Sequence, residues 1–488
     1  MVIESLKYKI LQQFGFAPTQ EQGQALDTFV SFLTDRDPQA VMILRGSAGT
    51  GKTSLSGAIV RTLLQIRQKV MLLAPTGRAA KVFSLGSGAP AYTIHRRIYR
   101  EKAFAGVDGQ FSLNDNLYTD TLFMVDEASM IANMGLGGTT FGSGCLLDDL
   151  VKFVYQGHND RLLLIGDKAQ LPPVGEEESP ALSASVMEGY GLKVYECDLN
   201  EVLRQSQSSG ILYNATLIRQ MITHDAVTGL PLIRFKGFAD IVMMPGAELV
   251  ESLGDSYHHV GMDETMVITR SNKRANIYNN GIRNMVLDRE EELSSGDMLM
   301  IVKNNYFWTE KEKKESGEGS AGAVPAFLAN GDRAKVLRVS NYIELYGFRF
   351  ATLLLQLPDY DDYEMQVTGM LDNLQSEAPA LTHEQQEELF RQVEEDYQHF
   401  VPLKADRMKS IRQDAYFNAL QIKYAYAVTC HKAQGGQWAH VYVDQGYMTD
   451  DMLTPDYIHW LYTAFTRATD KLFLVNWPKE QTCEPTDL

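Results

Sequence analysis

The sequence predicts an α/β fold: a doubly wound domain with its chemistry at the carboxyl ends of parallel strands, then a second α/β domain interrupted by an insertion. Three observations predict it. Short apolar runs ending in polar or glycine residues recur at 41–46 (VMILRG), 70–76 (VMLLAPT), 122–127 (LFMVDE) and 162–167 (LLLIGD), with helical stretches between several of them. Runs of this length, apolar throughout, have the pattern of fully buried strands. A second series begins at 265–270 (TMVITR) and resumes at 440–445 (HVYVDQ) and 472–477 (LFLVNW). The stretch between 270 and 440 differs in composition from both series.

That interruption reads in three parts. Residues 311–323 (KEKKESGEGSAGA) are charged, then small, as in a loop. From residue 331, GDRAKVLRVSNYIELYGFRFATLLLQL alternates apolar and polar residues, as hairpins of a small barrel do. Residues 383–398 (HEQQEELFRQVEEDYQ) have the composition of a solvated acidic helix. Earlier in the chain, MGLGGTTFGSG (134–144) reads as a glycine-rich loop. Asp108-Gly109 within KAFAGVDGQFSLND (102–115) marks a two-residue hairpin turn flanked by Phe104 and Phe111. Those two rings would either stack on a terminal base pair or pack on their own domain.

Composition bounds the function. Of 488 residues, 44% are hydrophobic, enough for large cores and against global disorder. The four cysteines are widely spaced with no CxxC pair, which argues against a disulfide framework or structural zinc and fits a reducing compartment. No apolar run approaches the ~18 residues of a membrane span, and the first residues lack an export signal. The expectation is a cytoplasmic protein with no membrane partner.

The net charge is −17, which by itself disfavours a nucleic-acid partner. The distribution reverses that inference. Residues 351–400 hold twelve acids and one base, so much of the acidity sits in one segment. Residues 61–102 hold nine Lys or Arg against one acid, and 270–283 hold Arg270, Lys273, Arg274 and Arg283 with none. These are either ordinary solvated faces or the basic groove that a translocating enzyme needs.

The sharpest motif is GSAGTGKT: Gly46, Ser47, Ala48, Gly49, Thr50, Gly51, Lys52 and Thr53. It matches G-x-x-x-x-G-K-[ST] and follows a strand, the context a phosphate-binding loop requires. The glycines let backbone amides curl around phosphates, Lys52 reaches the β- and γ-phosphates, and Thr53 can ligate magnesium. At the next strand end stand Asp126, suited to the magnesium shell, and Glu127, suited to deprotonating a water. Gln170 follows the strand at 162–167 and is placed to sense a γ-phosphate.

With these in order, the sequence resembles the superfamily 1 helicases, specifically the RecD/Dda/Pif branch, from about residue 16 to 478. The blocks are APTQEQGQAL, APTGRAA with TIH, VDEASM, GDKAQLPP, LNEVLRQ, TRSNKRANIYNNGIR, AVTCHKAQGG and YTAFTRA. The resemblance implies two RecA-like P-loop NTPase domains with small inserted accessory domains, one an SH3-like β-barrel. Their spans are 1–200 with a wedge hairpin near 84–118, then 201–295, the insertion 296–420, and 421–488. It implies ATP and Mg2+ as cofactors and Gln22 at the adenine-reading position. Arg204 and Arg467 would face the γ-phosphate from the second domain. Gly436 would lie near the nucleotide, although KAQGG departs from the usual K-S-Q-G-[ST].

For nucleic acid, Thr76, Gly77, Arg78, Thr93 and His95 match channel blocks of the first domain. Thr269, Asn272, Thr429, His431 and Lys432 match those of the second. The two histidines have a purely structural reading as well. The implied activity is ATP-dependent 5′→3′ translocation on single-stranded DNA with unwinding of tailed duplexes. The chain is expected to act as a monomer, alongside replication or repair proteins. The alternatives are an RNA-directed translocase and a nucleotide-binding subunit of a DNA repair or recombination complex that does not itself unwind.

Overall fold

A computed structural model describes residues 2–105, 108–135, 142–201, 208–223, 229–316, 324–325 and 327–483. Two compact units emerge: Met1–Met244 with Ala433–Leu488, and Pro245–Lys432.

The first unit is built on a six-stranded sheet. Its strands are β1 (Ala40–Gly46), β2 (Lys69–Ala74), β3 (Ala91–Thr93), β6 (Thr121–Val125), β7 (Arg161–Gly166) and β8 (Lys193–Leu199). Their order is β3-β2-β6-β7-β1-β8, and every pairing is parallel. Both faces are covered. Met42 and Leu44 enter one core with helices Val2–Phe14, Gln20–Leu33 and Lys52–Gln65. Their neighbours Val41 and Ile43 enter the other, with helix Leu146–Gln156. Alternate residues of a strand point to opposite faces, so a strand buried on both must be apolar throughout. The expected runs at 41–46, 70–76, 122–127 and 162–167 are β1, β2, β6 and β7.

β4 (Tyr99–Ala105) and β5 (Asp108–Leu113) form the expected hairpin, but the turn is displaced. Asp108 pairs with Ala105 and Gly109 with Phe104, so both turn candidates lie inside a strand. A register irregularity between Glu101 and Ala103 accompanies the displacement. The same unit holds β9 (Ile241–Met244), β17 (Trp438–Asp444) and β18 (Ala468–Val475), with β17 parallel to β18 and β18 parallel to β9.

In the second unit, β10 (Thr265–Thr269) pairs in parallel with β16 (Ala427–Thr429). β11 (Met298–Ile301), β12 (Arg333–Leu345), β13 (Phe348–Leu357), β14 (Tyr363–Met370) and β15 (Leu420–Tyr424) close a barrel. The alternation read from residue 331 onward therefore marks barrel strands. The acidic helix spans His383–Gln398, with a capping box at Thr382 and Gln385. It buries Leu389 and Val393 against the barrel's Phe350 and Met370 and leaves its acids outward.

One further expectation is corrected here. The first half of 311–323 is not a loop: helix Phe307–Ser316 covers it, anchored by buried Trp308, whose Nε1 donates to the Asn418 carbonyl at 2.9 Å. Residues 317–323, like most of the glycine-rich stretch 134–144, lie outside the described residues. Among the described residues, no helix is long and apolar enough to cross a membrane.

Candidate functional site

The carboxyl ends of β1, β6 and β7 converge on one cleft of the first unit. It is lined by Lys52 and Thr53, by Asp126 and Glu127, by Gly166, Asp167 and Gln170, and by Gly435, Gln437 and Arg467. In the 46–53 loop, Gly49 and Gly51 hold φ of 76° and 80°, the left-handed region that favours glycine. Gly46 is required by space instead, because a Cβ there would stand 2.7 Å from the Lys52 side chain. The loop ends at the first turn of helix Lys52–Gln65, whose dipole and unpaired amides favour an anion. Lys52 Nζ folds back onto the carbonyls of Gly46 and Ser47, the latter at 3.0 Å.

Asp126 accepts the Glu127 N–H at 2.9 Å. Desolvation in the cleft, then the adjacent Glu127 charge, raises the Asp126 carboxyl to about 7. Glu127 itself sits at φ 53°, a left-handed conformation that is costly for a residue with a side chain. Gln170 bridges the site in the amide orientation that satisfies both neighbours. Its nitrogen lies 3.2 Å from Glu127 Oε2 and its oxygen 3.1 Å from Arg467 Nη2. Arg467 is 1% exposed and donates to the carbonyls of Thr463 and Gly436, each at 3.1 Å. It belongs to the same compact unit as the phosphate-loop motif. Arg204 lies outside the described residues.

Other expected nucleotide residues take different places. Gln22 is buried; its Nε2 donates to the Thr50 carbonyl at 2.9 Å and its Oε1 accepts the Thr19 N–H at 3.0 Å. This ties helix Gln20–Leu33 to the loop. Ser47 is buried, and its hydroxyl accepts from Arg219. Gly436 does not line the cleft; Gly435 does. A Cβ on Gly436 would stand 2.4 Å from the Trp438 ring, so the ring occupies the space a hydroxyl residue would need. This accounts physically for the glycine at 436, one of the two departures in KAQGG.

The expected nucleic-acid residues fall into two similar arrangements, one in each unit. In the first, Thr76 and Thr93 sit at the ends of β2 and β3 and cap the helices that follow, accepting from Ala79 N (3.2 Å) and Arg96 N (3.3 Å). Gly77 opens the helix after Thr76, and Arg78 Nη2 donates to the Gln437 carbonyl at 3.0 Å. Desolvation holds His95 near 4, so its imidazole is neutral at physiological pH and contributes hydrogen bonding rather than charge.

In the second unit, Thr269 and Thr429 are register partners at the ends of β10 and β16. Thr269 is fully buried and donates to the Ser271 carbonyl at 3.1 Å, so its hydroxyl is withdrawn from any ligand. The exposed Ser271 caps helix Asn272–Gly281 and is the hydroxyl that sequence reasoning missed. Its position immediately before Asn272 was the available signal. His431 is exposed, and burial lowers Lys432 to about 8.

Structure also thins the two basic segments. Arg283 is 4% exposed and pairs with the fully buried Asp297, which Arg289 and Tyr426 also contact, so it is a core ion pair rather than a surface charge. Arg67 and Lys69 stand at the amino end of β2, opposite the cleft.

Comparisons with known proteins agree with this cleft. A family model described as an AAA domain matches residues 17–229, and one described as a UvrD-like helicase C-terminal domain matches 424–475. The uncharacterized protein MJ1519 of Methanocaldococcus jannaschii is 33% identical over 168 residues, 32% of this chain and 13% of that protein. The ATP-dependent RecD2 DNA helicase of Deinococcus radiodurans is 30% identical over 157 residues, 32% of this chain and 18% of that protein. The ATP-dependent DNA helicase dda of Enterobacteria phage T4 is 25% identical over 267 residues, 53% of this chain and 55% of that protein. The chain thus spans less than two thirds of each of these three relatives. The two family models and the two named helicases make the chain similar to the superfamily 1 helicases of the RecD/Dda/Pif-like branch.

Proposed function

We propose that this chain hydrolyses ATP to move 5′→3′ along single-stranded DNA and to unwind tailed duplexes. The observation that carries the reading is the convergence of Lys52, Asp126, Glu127, Gln170 and Arg467 on one cleft. Two relatives whose names describe ATP-dependent DNA helicases support it. In this reading the division 1–200, 201–295, 296–420 and 421–488 describes the chain's domains, with 201–295 and 421–488 forming the second RecA-like domain.

The chemistry follows from the side chains. Phosphate oxygens are stronger acceptors than the two carbonyls that now hold Lys52, so its ammonium transfers to them. Glu127 accepts the proton of the attacking water. Arg467 stabilises charge spreading over the transferred phosphoryl group, and Gln170 keeps acid and guanidinium in register. Arg204 is proposed as a second such guanidinium. Thr53 and Asp126 are hard oxygen donors, and burial with the Glu127 charge outweighs Lys52 in raising the Asp126 carboxyl to about 7, so the pair fits a divalent cation. Magnesium held there would neutralise charge on the phosphates. The proposed DNA tracks are Thr76, Gly77, Arg78, Thr93 and His95 in one unit, and Asn272, Thr429, His431 and Lys432 with Ser271 in the other. The test is ATPase stimulation by single-stranded DNA against RNA, with unwinding of 5′- and 3′-tailed duplexes. Stimulation by RNA alone, or unwinding only from 3′ tails, refutes the reading.

A pH prediction follows from Lys432. Burial lowers its pKa to about 8, so the ammonium is present below that pH and lost above it. Single-strand affinity is expected to fall between pH 7 and 9, and Lys432→Arg, which stays charged, is expected to flatten that fall. Identical pH profiles for the two proteins would remove Lys432 from the DNA track.

The hairpin β4–β5 is proposed as the strand-separating wedge. Phe111 packs against the domain core, which takes its ring out of that role and limits the wedge to the hairpin tip. Replacing residues 104–109 with a short Gly-Ser turn is expected to preserve DNA-stimulated ATPase and abolish unwinding. Undiminished unwinding would put strand separation elsewhere.

A further inference from the structure

Two side chains outside the assigned machinery grip the phosphate-loop motif from behind. Arg219, on helix Gly210–Thr223, donates through Nη1 to Ser47 Oγ. Its Nη1 and Nη2 also lie 3.4 and 3.5 Å from the Asn200 carbonyl, at the limit of a hydrogen bond. Tyr462, on helix Pro455–Phe465, donates its hydroxyl to Asp167 Oδ2 at 2.7 Å and accepts the Ala48 N–H at 3.0 Å. The two helices pack on each other, so the two contacts share one rigid support. The backbone of Ser47 is held too, its N–H donating to the Leu199 carbonyl at 3.2 Å.

Each contact has a fixed polarity. Ser47 is 7% exposed, so its hydroxyl is committed to the guanidinium and not to the cleft. Asp167 can only accept, which forces the Tyr462 proton toward it and turns the phenolic lone pairs to Ala48. Burial and the Asp167 charge hold the Tyr462 hydroxyl well above its ordinary pKa, so this polarity persists at all working pH. The loop it serves needs such support. Gly49 and Gly51 make it conformationally permissive, and a permissive loop loses entropy when a ligand orders it.

We propose that Arg219 and Tyr462 are positioning residues: a two-point clamp on Ser47 and Ala48 that holds the loop in its phosphate-accepting shape before nucleotide arrives. The inference rests on the reading of Gly46–Thr53 as the phosphate site. A clamp of this kind lowers the cost of binding and leaves the chemical step alone. Its loss raises KM for ATP and changes kcat little.

The test compares the full chain with Ser47→Ala, Arg219→Ala, Arg219→Lys, the Ser47→Ala/Arg219→Ala pair and Tyr462→Phe. The readouts are KM and kcat for DNA-stimulated ATP hydrolysis, Kd for a fluorescent ADP analogue, and Tm. Ser47→Ala and Arg219→Ala are each expected to raise KM and Kd about tenfold, the scale of one charge-assisted hydrogen bond. The pair is expected to be no worse than either single change, since both remove one bond. Arg219→Lys is expected to recover part of the loss, and Tyr462→Phe to raise KM on its own.

Lowered Tm with parental KM and Kd would mean that both residues only stabilise the fold, and would overturn the clamp. So would a fully additive double change. Should Arg219→Ala fail to fold, Ser47→Ala deletes only one oxygen and carries the same test. Unchanged variants of a parent that binds ATP overturn the clamp alone, whereas a parent that binds no ATP overturns the phosphate-site reading with it.

Discussion

Glu127→Gln is expected to bind ATP with near-parental affinity and to lose turnover by about 10²–10⁴-fold, the range for removing a general base. The substitution preserves nearly everything the structure asks of the position. Glutamine has the same length, and its carbonyl oxygen can still accept from the Gln170 amide that lies 3.2 Å from Glu127 Oε2. The left-handed backbone at φ 53° is the same burden for either residue. What disappears is basicity, so an effect confined to kcat isolates it. The measurement is DNA-stimulated ATPase beside equilibrium nucleotide binding. Near-parental turnover would refute the role assigned to Glu127.

Arg467→Ala is expected to lower turnover by about 10³-fold or more if its guanidinium neutralises transition-state charge. The structure adds a second consequence. Arg467 is 1% exposed and satisfies the carbonyls of Thr463 and Gly436. Its removal takes the donor from the Gly436 carbonyl, at a cost of about 1–3 kcal/mol for a buried acceptor left unpaired, and one of two from the Thr463 carbonyl, which Thr466 Oγ1 also reaches at 3.0 Å, so Tm is expected to fall as well. The decisive comparison is therefore made well below the variant's Tm, with Arg467→Lys as the partner that keeps a charge but not the planar fork. Hydrolysis at the parental rate by folded Arg467→Ala would exclude it as the charge-stabilising group. Arg204→Ala is expected to show the loss of turnover, and its Tm tests whether that residue too supports the fold.

Much of the fold was legible in the sequence. β1, β2, β6 and β7 were visible because a parallel strand covered on both faces has no polar phase to hide it. The same holds for β10, β17 and β18. β8 was not visible: in KVYECDL only Leu199 is buried, because the strand lies at a sheet edge. β3 spans Ala91–Thr93, too short for any period to register. The acidic helix was legible throughout its length, since its cap and its polar majority are local properties. Helix Phe307–Ser316 was not, because its fixed point is Trp308 against Asn418, a contact distant in sequence.

By itself the sequence determined the chemistry available at strand ends: the glycine pattern at 46–53, the Asp126-Glu127 pair, Gln170, and the two blocks that carry Arg204 and Arg467. These are short-range patterns, and short-range spacing carries them. Only the tertiary structure decided which of the candidates face the cleft. It buried Thr269, turned Ser47 toward Arg219, put Gly435 where Gly436 was expected, and moved the hairpin turn away from Asp108-Gly109. It also paired Arg283 with Asp297, taking one base of the segment 270–283 into a core ion pair. Burial, register and the partner of a charge depend on residues far apart in the chain, as with Arg219 and Ser47 or Tyr462 and Ala48. A linear pattern contains the residue types for such contacts but not their meeting.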